Sequence, residues 1–385
     1  MDCCTFITNN RLKMAPVRLF FAIALLLFSS CKKKTEEPKE RHFYMGVTPW
    51  PADFTVAAVN DAYSFINQHC DLVSQHFDNG IPYQEAFDNA GWPQALTDDI
   101  NTALTKTAPG KAVLLSVAPL ALDRKSKADY YANSPLISTA VKDAWRALPV
   151  NDPKVVTAYV NFVSYLLNRL NPRFVNFGVE SNNETFNAAV FTQYKSFLQQ
   201  VYTQLKNRFP SLPFFVSFMV SEHPQALENA RQLLPYTDYV TLSSYPYTSV
   251  SSSANGNTDP KLFPADYYSR FLDLANSPAK PVAIAETGYI AENLDVNAFN
   301  LHKQGNEGWQ RDYLEKIFNL CEERKAKFLV WFCNQDYDAG NRTLQQLGLY
   351  QDLFAFWEDT GLYDEQKRER PAGALWREWM QRERK

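Results

Sequence analysis

Two glutamates stand out because each directly follows a short apolar run. Glu180 closes the stretch FVNFGVE, and Glu286 closes PVAIAE. A carboxylate at a strand end is open to solvent on one side and backed by apolar side chains on the other. Burial raises its pKa and hydrogen bonds to the ionised form lower it, so such a group can be tuned in either direction. Two carboxylates tuned oppositely can divide the labour of breaking a glycosidic bond. One donates a proton to the leaving oxygen, and the other attacks or stabilises the sugar cation. Glu180 alone reads equally as an acid at a helix start, where the N-terminal dipole favours it. The pairing with Glu286 is what gives it chemical meaning. Other polar and aromatic residues recur at equivalent places: Trp50 after the first run, His76 and Asp78 at the second, and Ser181, Asn182 and Asn183 after Glu180. Tyr245 follows the sixth run, and Trp331, Asn334, Gln335 and Asp336 cluster at the eighth. Glu184 and Glu222 are the next acids to test should Glu180 prove structural.

The elements that must position these groups are eight β-rich runs, at 43–49, 71–77, 112–118, 174–179, 213–219, 239–243, 281–285 and 327–332. Stretches with apolar residues at three- and four-residue spacing lie between them, including 155–170, 192–208, 266–275 and 306–324. Strand and helix in alternation predict a parallel sheet covered by helices, and eight repeats predict a single-domain (β/α)8 TIM barrel over 42–385. The competing open doubly wound sheet calls for a Gly-rich turn after the first strand, which Gly46 alone does not supply. Barrels carry their sites at the carboxyl ends of the strands, where the fourth and seventh runs face each other across the mouth. The long connections 120–155 and 249–263 are expected to shape the cleft.

Composition narrows the function classes. Among 385 residues, 45% are hydrophobic, 14% are aromatic and the net charge is -3, which excludes a disordered chain and offers no basic surface for nucleic acid. With 13 glycines and no Gly-rich loop, no phosphate cradle is evident, and we expect no cofactor. After Cys31 only Cys70, Cys321 and Cys333 remain, and the histidines are scattered, so neither a disulfide framework nor a metal site is expected. Arg18 precedes an apolar run at 19–28 that is shorter than the roughly 20 residues of a membrane span, which reads as an export signal. Its ending, Leu-Phe-Ser-Ser-Cys, resembles a bacterial lipobox. Residues 1–30 are then the signal, with Met14 as a candidate true start, and Cys31 is the lipidated residue. The polar segment 31–41 tethers the domain to a membrane of the cell envelope. An ordinary secretory signal with an incidental Cys31 is the alternative.

The segments FVNFGVESNNE, YVTLSSYPYT, VAIAETGY and LVWF resemble the motifs of the fourth, sixth, seventh and eighth strands of clan A glycoside hydrolases. The likeness is nearest to family-53 endo-galactanases and family-5-type barrels, and it extends to the tail GLYDEQKRERPAGALW. The resemblance implies a glycosidase acting on a polysaccharide or oligosaccharide by a retaining mechanism, with Glu180 as acid/base and Glu286 as nucleophile. Tyr245 would stand beside the nucleophile and Trp331 would lie under the sugar; from their places at strand ends, Trp50, His76, Asp78 and Asn334 are expected along the subsite. One departure is Val179, where the clan pattern has the Asn that binds the sugar 2-hydroxyl. Asn182 or Asn183 substitutes, the substrate presents a different group, or catalysis is impaired. The last option leads to a second reading, a surface glycan-binding lipoprotein without turnover.

Overall fold

The computed structural model describes residues 40–251 and 255–385. The export signal, Cys31 and the tether as far as residue 39 lie outside the described residues. Eight parallel strands close into a barrel. They are β1 (Tyr44–Val47), β2 (Leu72–Phe77), β3 (Ala112–Val117), β4 (Phe174–Gly178), β5 (Phe214–Met219), β6 (Val240–Ser244), β7 (Val282–Thr287) and β8 (Phe328–Trp331). Spatial order follows chain order, and β8 pairs with β1 to close the ring. The helix following each strand is, in turn, α1 (Val56–His69), α2 (Gln94–Lys106), α3 (Pro153–Leu170) and α4 (Ala188–Arg208). The remaining four are α5 (Pro224–Leu233), α6 (Ser269–Leu272), α7 (Glu307–Glu323) and α8 (Pro371–Met380). This is the (β/α)8 barrel expected from the alternation. Among the described residues, no helix is long and apolar enough to cross a membrane.

The helices start where polar caps allow. Asp152 accepts from the Lys154 amide ahead of Pro153, Asn187 from Val190 and Asn306 from Trp309, each satisfying an otherwise orphaned N–H. On α3 the buried stripe carries Tyr159, whose hydroxyl donates to the carbonyls of Val117 and Phe177 and so ties the helix to two strand ends. The helix expected over 266–275 is a single α-turn, α6, followed by a 3-10 turn at Asp273–Ala275. Pro264 and Pro278 bracket this segment, and proline lacks the N–H a continuing helix needs. The tether expected to reach Arg41 ends earlier, because Glu40–Arg41 pairs as a strand with Glu383–Arg384 and buried Arg41 meets Asp71 at 2.5 Å.

Inside the barrel, side chains alternate in layers. Leu72, Leu114, Phe174, Phe215, Ala283 and Phe328 form an apolar plug, with the Phe174 and Phe328 rings 4.7 Å apart. Two residues further along the strands, the same face carries Ser74, Ser116, Asn176, Ser217 and Thr241, all buried. The next step up reaches His76 and Ser243, at the floor of the mouth.

Behind the mouth, Arg370 is 1% exposed and gathers Asp336 (2.7 Å) and Glu292 (2.6 Å), fastening the end of β8 to the C-terminal segment. The acids outnumber the cations there. Burial, together with the charges of Asp338, Glu292 and Glu358, pushes Asp359 up to about 8. An unfolded Asp titrates near 4, so between about pH 4 and 8 the folded state binds more protons and stability falls as pH rises through that window. Asp359→Asn is therefore expected to raise the melting temperature relative to the native chain at pH 8, with the gap closing toward pH 4.5. A gap that does not vary between those pH values in thermal melts would count against this account.

Candidate active site

Strict alternation along β7 would turn Glu286 outward, since Ala283 and Ala285 pack inside. A register shift intervenes. Leu242 pairs with Ile284, but the next residue, Ser243, pairs with Glu286, so β7 carries an extra residue. The same irregularity recurs against β8, where Leu329 pairs with Ile284 and Trp331 with Thr287. A bulge of this kind re-aims a side chain, and here it delivers Glu286 to the mouth. Gly288 follows, and a Cβ there would lie 2.5 Å from the Phe332 carbonyl and 3.1 Å from the Tyr245 ring. Only glycine permits that closeness.

Glu286 is met from two sides. The Tyr245 hydroxyl donates to Oε1 at 2.7 Å, and His76 Nδ1 lies 3.5 Å from Oε2, reaching across the mouth from β2. Burial by itself would raise the Glu286 carboxyl. The hydrogen bonding of His76, its charge, the Tyr245 hydroxyl and the charge of Arg124 instead hold it below the usual carboxylate value. Burial also works against a protonated His76, yet Asp78, 3.6 Å from Nε2, and Glu286 together hold the imidazole above its ordinary value. Tyr245 stays a donor, because burial and the Glu286 charge push its phenol well up. The arrangement keeps Glu286 ionised, as a nucleophile requires.

Glu180 sits just beyond β4 with φ of 51°, a left-handed conformation that is costly for a non-glycine residue. Its amide donates to Ser217 Oγ at 2.9 Å, and Ser217 also receives Asn176 Nδ2, so the polar layer below sets its backbone. Its carboxylate accepts from Ser243 Oγ at 2.6 Å and from Arg124 Nε at 2.8 Å. Ser243 pairs in register with Glu286, which places the two carboxylates on adjoining parts of one mouth. Both contribute to the field at Tyr245 and at Arg124.

Of the residues singled out from sequence, Glu180, Glu286, Tyr245, His76 and Asp78 come together here, and Trp50 stands nearby with its ring 5.7 Å from Phe332. Four others do not present themselves to a ligand. Trp331 is 0% exposed, with its indole N–H on the Thr360 carbonyl, so it is core and offers no face to a sugar. Phe332, one residue on, is the partly exposed ring at that strand end. Asn182 is spent on backbone, bonding Met219 and Ala226. Asn183 caps Thr185 and holds the Asp123 carbonyl. Asn334 lines a shallow hollow against α1 with Phe65 and Tyr363, on the flank of the barrel. None of these three amides is available to replace the Asn missing at Val179. Glu222 is engaged with the Ser251 amide.

Sequence reading missed Arg124, Ser243, Phe332 and Trp357, the last lying edge-on to Tyr245 at 5.8 Å. Ser243 and Phe332 lie within the segments that carry the resemblance, whereas Arg124 sits in LDRKSK, a charge run without periodicity. The acids Glu292, Asp336 and Asp359 approach within 4.8 Å of one another, but Arg370 already provides a cation among them.

If Tyr245 stabilises ionised Glu286, Tyr245→Phe removes one of the influences that lower it, and the carboxyl moves up. The acid limb of the pH profile of kcat/KM then shifts to higher pH, and activity at the optimum falls about ten- to a hundredfold, the worth of one hydrogen bond to a charged group. An unmoved acid limb would separate Tyr245 from the titration of Glu286.

The barrel fold has structural counterparts. The chain matches no protein-family model and no curated protein. Among solved structures it is similar to the exo-β-1,4-mannosidase from Opitutaceae bacterium strain TAV5, with a TM-score of 0.57 at 14% identity. That match covers 89% of this chain and 59% of the mannosidase, so the chain spans less than two thirds of that protein's length. It is also similar to GH5_18 from Streptomyces cattleya, with a TM-score of 0.56 at 13% identity, covering 89% of this chain and 80% of that one. The native xylanase 10B from Thermotoga maritima aligns at a TM-score of 0.57 and 10% identity, covering 88% and 95% respectively. All three are glycoside hydrolases, and at these identities the likeness establishes the TIM-barrel fold.

Proposed function

We propose that this protein is a glycoside hydrolase that cleaves O-glycosidic bonds of a polysaccharide or oligosaccharide with retention, using no cofactor. The observation that carries the reading is the placement of two carboxylates in one mouth, both acting on Tyr245 and Arg124. Glu286 is held ionised by Tyr245 and His76, and Glu180 stands near it on a braced backbone. In this reading Glu286 attacks the anomeric carbon and Glu180 protonates the leaving oxygen. Glu180 then takes a proton from the water that releases the sugar. Phe332, Trp50 and Trp357 provide apolar faces for sugar rings. The apolar run at 19–28 and Cys31 support a lipid-anchored location in the cell envelope. The test is a panel of plant and host glycans, with the anomeric form of the first product followed by NMR. Release with retained configuration supports the reading, release with inversion refutes the covalent step, and no release from any glycan refutes the reading.

A second reading, glycan binding without turnover, is favoured by one observation: the Arg124 guanidinium occupies Glu180 in the free protein, and an acid must be free to carry a proton. Retention of a glycan that is never cleaved would favour it.

A further inference from the structure

Arg124 is unusual in conformation, burial and company. It has φ of 53°, in the left-handed region where glycine or asparagine is the ordinary choice. The turn that imposes this is heavily braced. Asp123 accepts from the amides of Lys125 (3.0 Å) and Ser126 (2.9 Å) and from the Ser126 hydroxyl (2.6 Å), while Asn183 Nδ2 holds the Asp123 carbonyl at 3.1 Å. A strained residue with a long side chain, where a small one would relieve the strain, points to a task for that side chain. The side chain enters the mouth 14% exposed and lies in the combined field of Glu180, Asp78 and Glu286. Nε binds Glu180, and Nη1 reaches the Ala121 carbonyl only at 3.4 Å. Among the described residues, Nη2 makes no hydrogen bond. The guanidinium thus spends Nε on a carboxylate and leaves Nη2 without a partner among the described residues.

We propose that Arg124 forms a carboxylate subsite, and that the natural substrate carries a uronic acid residue whose carboxylate takes the guanidinium from Glu180. This rests on the glycosidase reading and adds the substrate class. The fork can match a planar carboxylate in bidentate fashion, whereas Glu180 engages it through Nε alone. When the uronate binds Arg124, Glu180 loses its cation and takes one proton from solvent, so the charge of the mouth is unchanged. That proton passes to the glycosidic oxygen as the bond from this oxygen to the anomeric carbon breaks and Glu286 Oε forms its bond to the same carbon. Water then attacks that carbon, its proton goes to Glu180, and Glu286 leaves as carboxylate. Release of the uronate returns Arg124 to Glu180 and the extra proton to solvent. A neutral sugar leaves Arg124 on Glu180 and the acid without its proton. The absent Asn at Val179 fits this scheme, because recognition moves from the 2-hydroxyl to a carboxylate.

The test uses oligosaccharides containing glucuronate, galacturonate or mannuronate, each beside its carboxyl-reduced counterpart, with the native protein and Arg124→Gln. The native protein is expected to favour at least one uronide over its reduced form by about a hundredfold or more in kcat/KM. Arg124→Gln should lose that preference to within about tenfold, because cleavage of the uronide falls much further than cleavage of its reduced form. A merely structural Arg124 would lose both activities together. Should Arg124→Gln fail to fold, Arg124→Lys keeps the charge without the fork, and retention of the full preference by it overturns the bidentate subsite. Equal cleavage of uronides and reduced forms by the native protein overturns the proposal and leaves the glycosidase reading standing. No cleavage, but retention of uronides in a binding assay that Arg124→Gln abolishes, upholds the subsite and refutes the glycosidase reading. Neither cleavage nor retention removes both.

Discussion

With Glu286 as the proposed nucleophile, Glu286→Gln is expected to lower turnover by about four to six orders of magnitude while changing substrate affinity by less than about tenfold. Glutamine has the same shape and still accepts the Tyr245 hydroxyl, but it carries no charge to form or stabilise the bond at the anomeric carbon. His76 loses its partner at 3.5 Å, although Asp78 remains beside it. Glu286 lies at the mouth above the apolar plug, so the substitution leaves the packing of the barrel intact. Initial rates and calorimetric binding on the same preparation check both halves. A variant within tenfold of native turnover would remove Glu286 from the reaction.

Glu180→Gln is expected to behave differently, and the difference identifies its role. For leaving groups that are sugars, which need a proton to depart, the loss is about a hundred- to ten-thousandfold. For dinitrophenyl glycosides, whose leaving group departs unprotonated, the first chemical step should fall by no more than about tenfold. Ser243 and Arg124 both hold the Glu180 carboxylate, so the isosteric change keeps a side chain of the same size between them. Pre-steady-state release of the aryl alcohol separates this step from the later attack of water, in which the proposed mechanism also uses Glu180. Equal losses for both classes of leaving group would show that Glu180 positions other groups and is not the acid.

Some of this site is legible in the chain and some is not, for reasons that differ residue by residue. The strands carrying His76, Glu180, Tyr245 and Glu286 are short, β-rich and bounded by helix-period stretches, so their existence follows from local pattern. Trp331 and Phe332 show the limit. Both follow LV on one strand, and period-2 alternation sends one into the core and the other to the mouth. The resemblance favoured the tryptophan, and the barrel buries it. Asn182 and Asn183 look like ligands in the sequence because polar residues after a strand usually face solvent. Here they are consumed by backbone groups of β5 and of the Arg124 turn.

The sequence by itself determined the eight-strand alternation, the places where polar groups cluster and the two glutamates worth testing, because each of these depends on neighbours a few residues apart. Only the tertiary structure decided that a bulge turns Glu286 inward, that His76 reaches it from a strand not adjacent to β7, and that Arg124, 56 residues from Glu180, pairs with it. Those facts arise from barrel closure, which brings strand ends and loops together irrespective of their separation along the chain, and no local pattern encodes it.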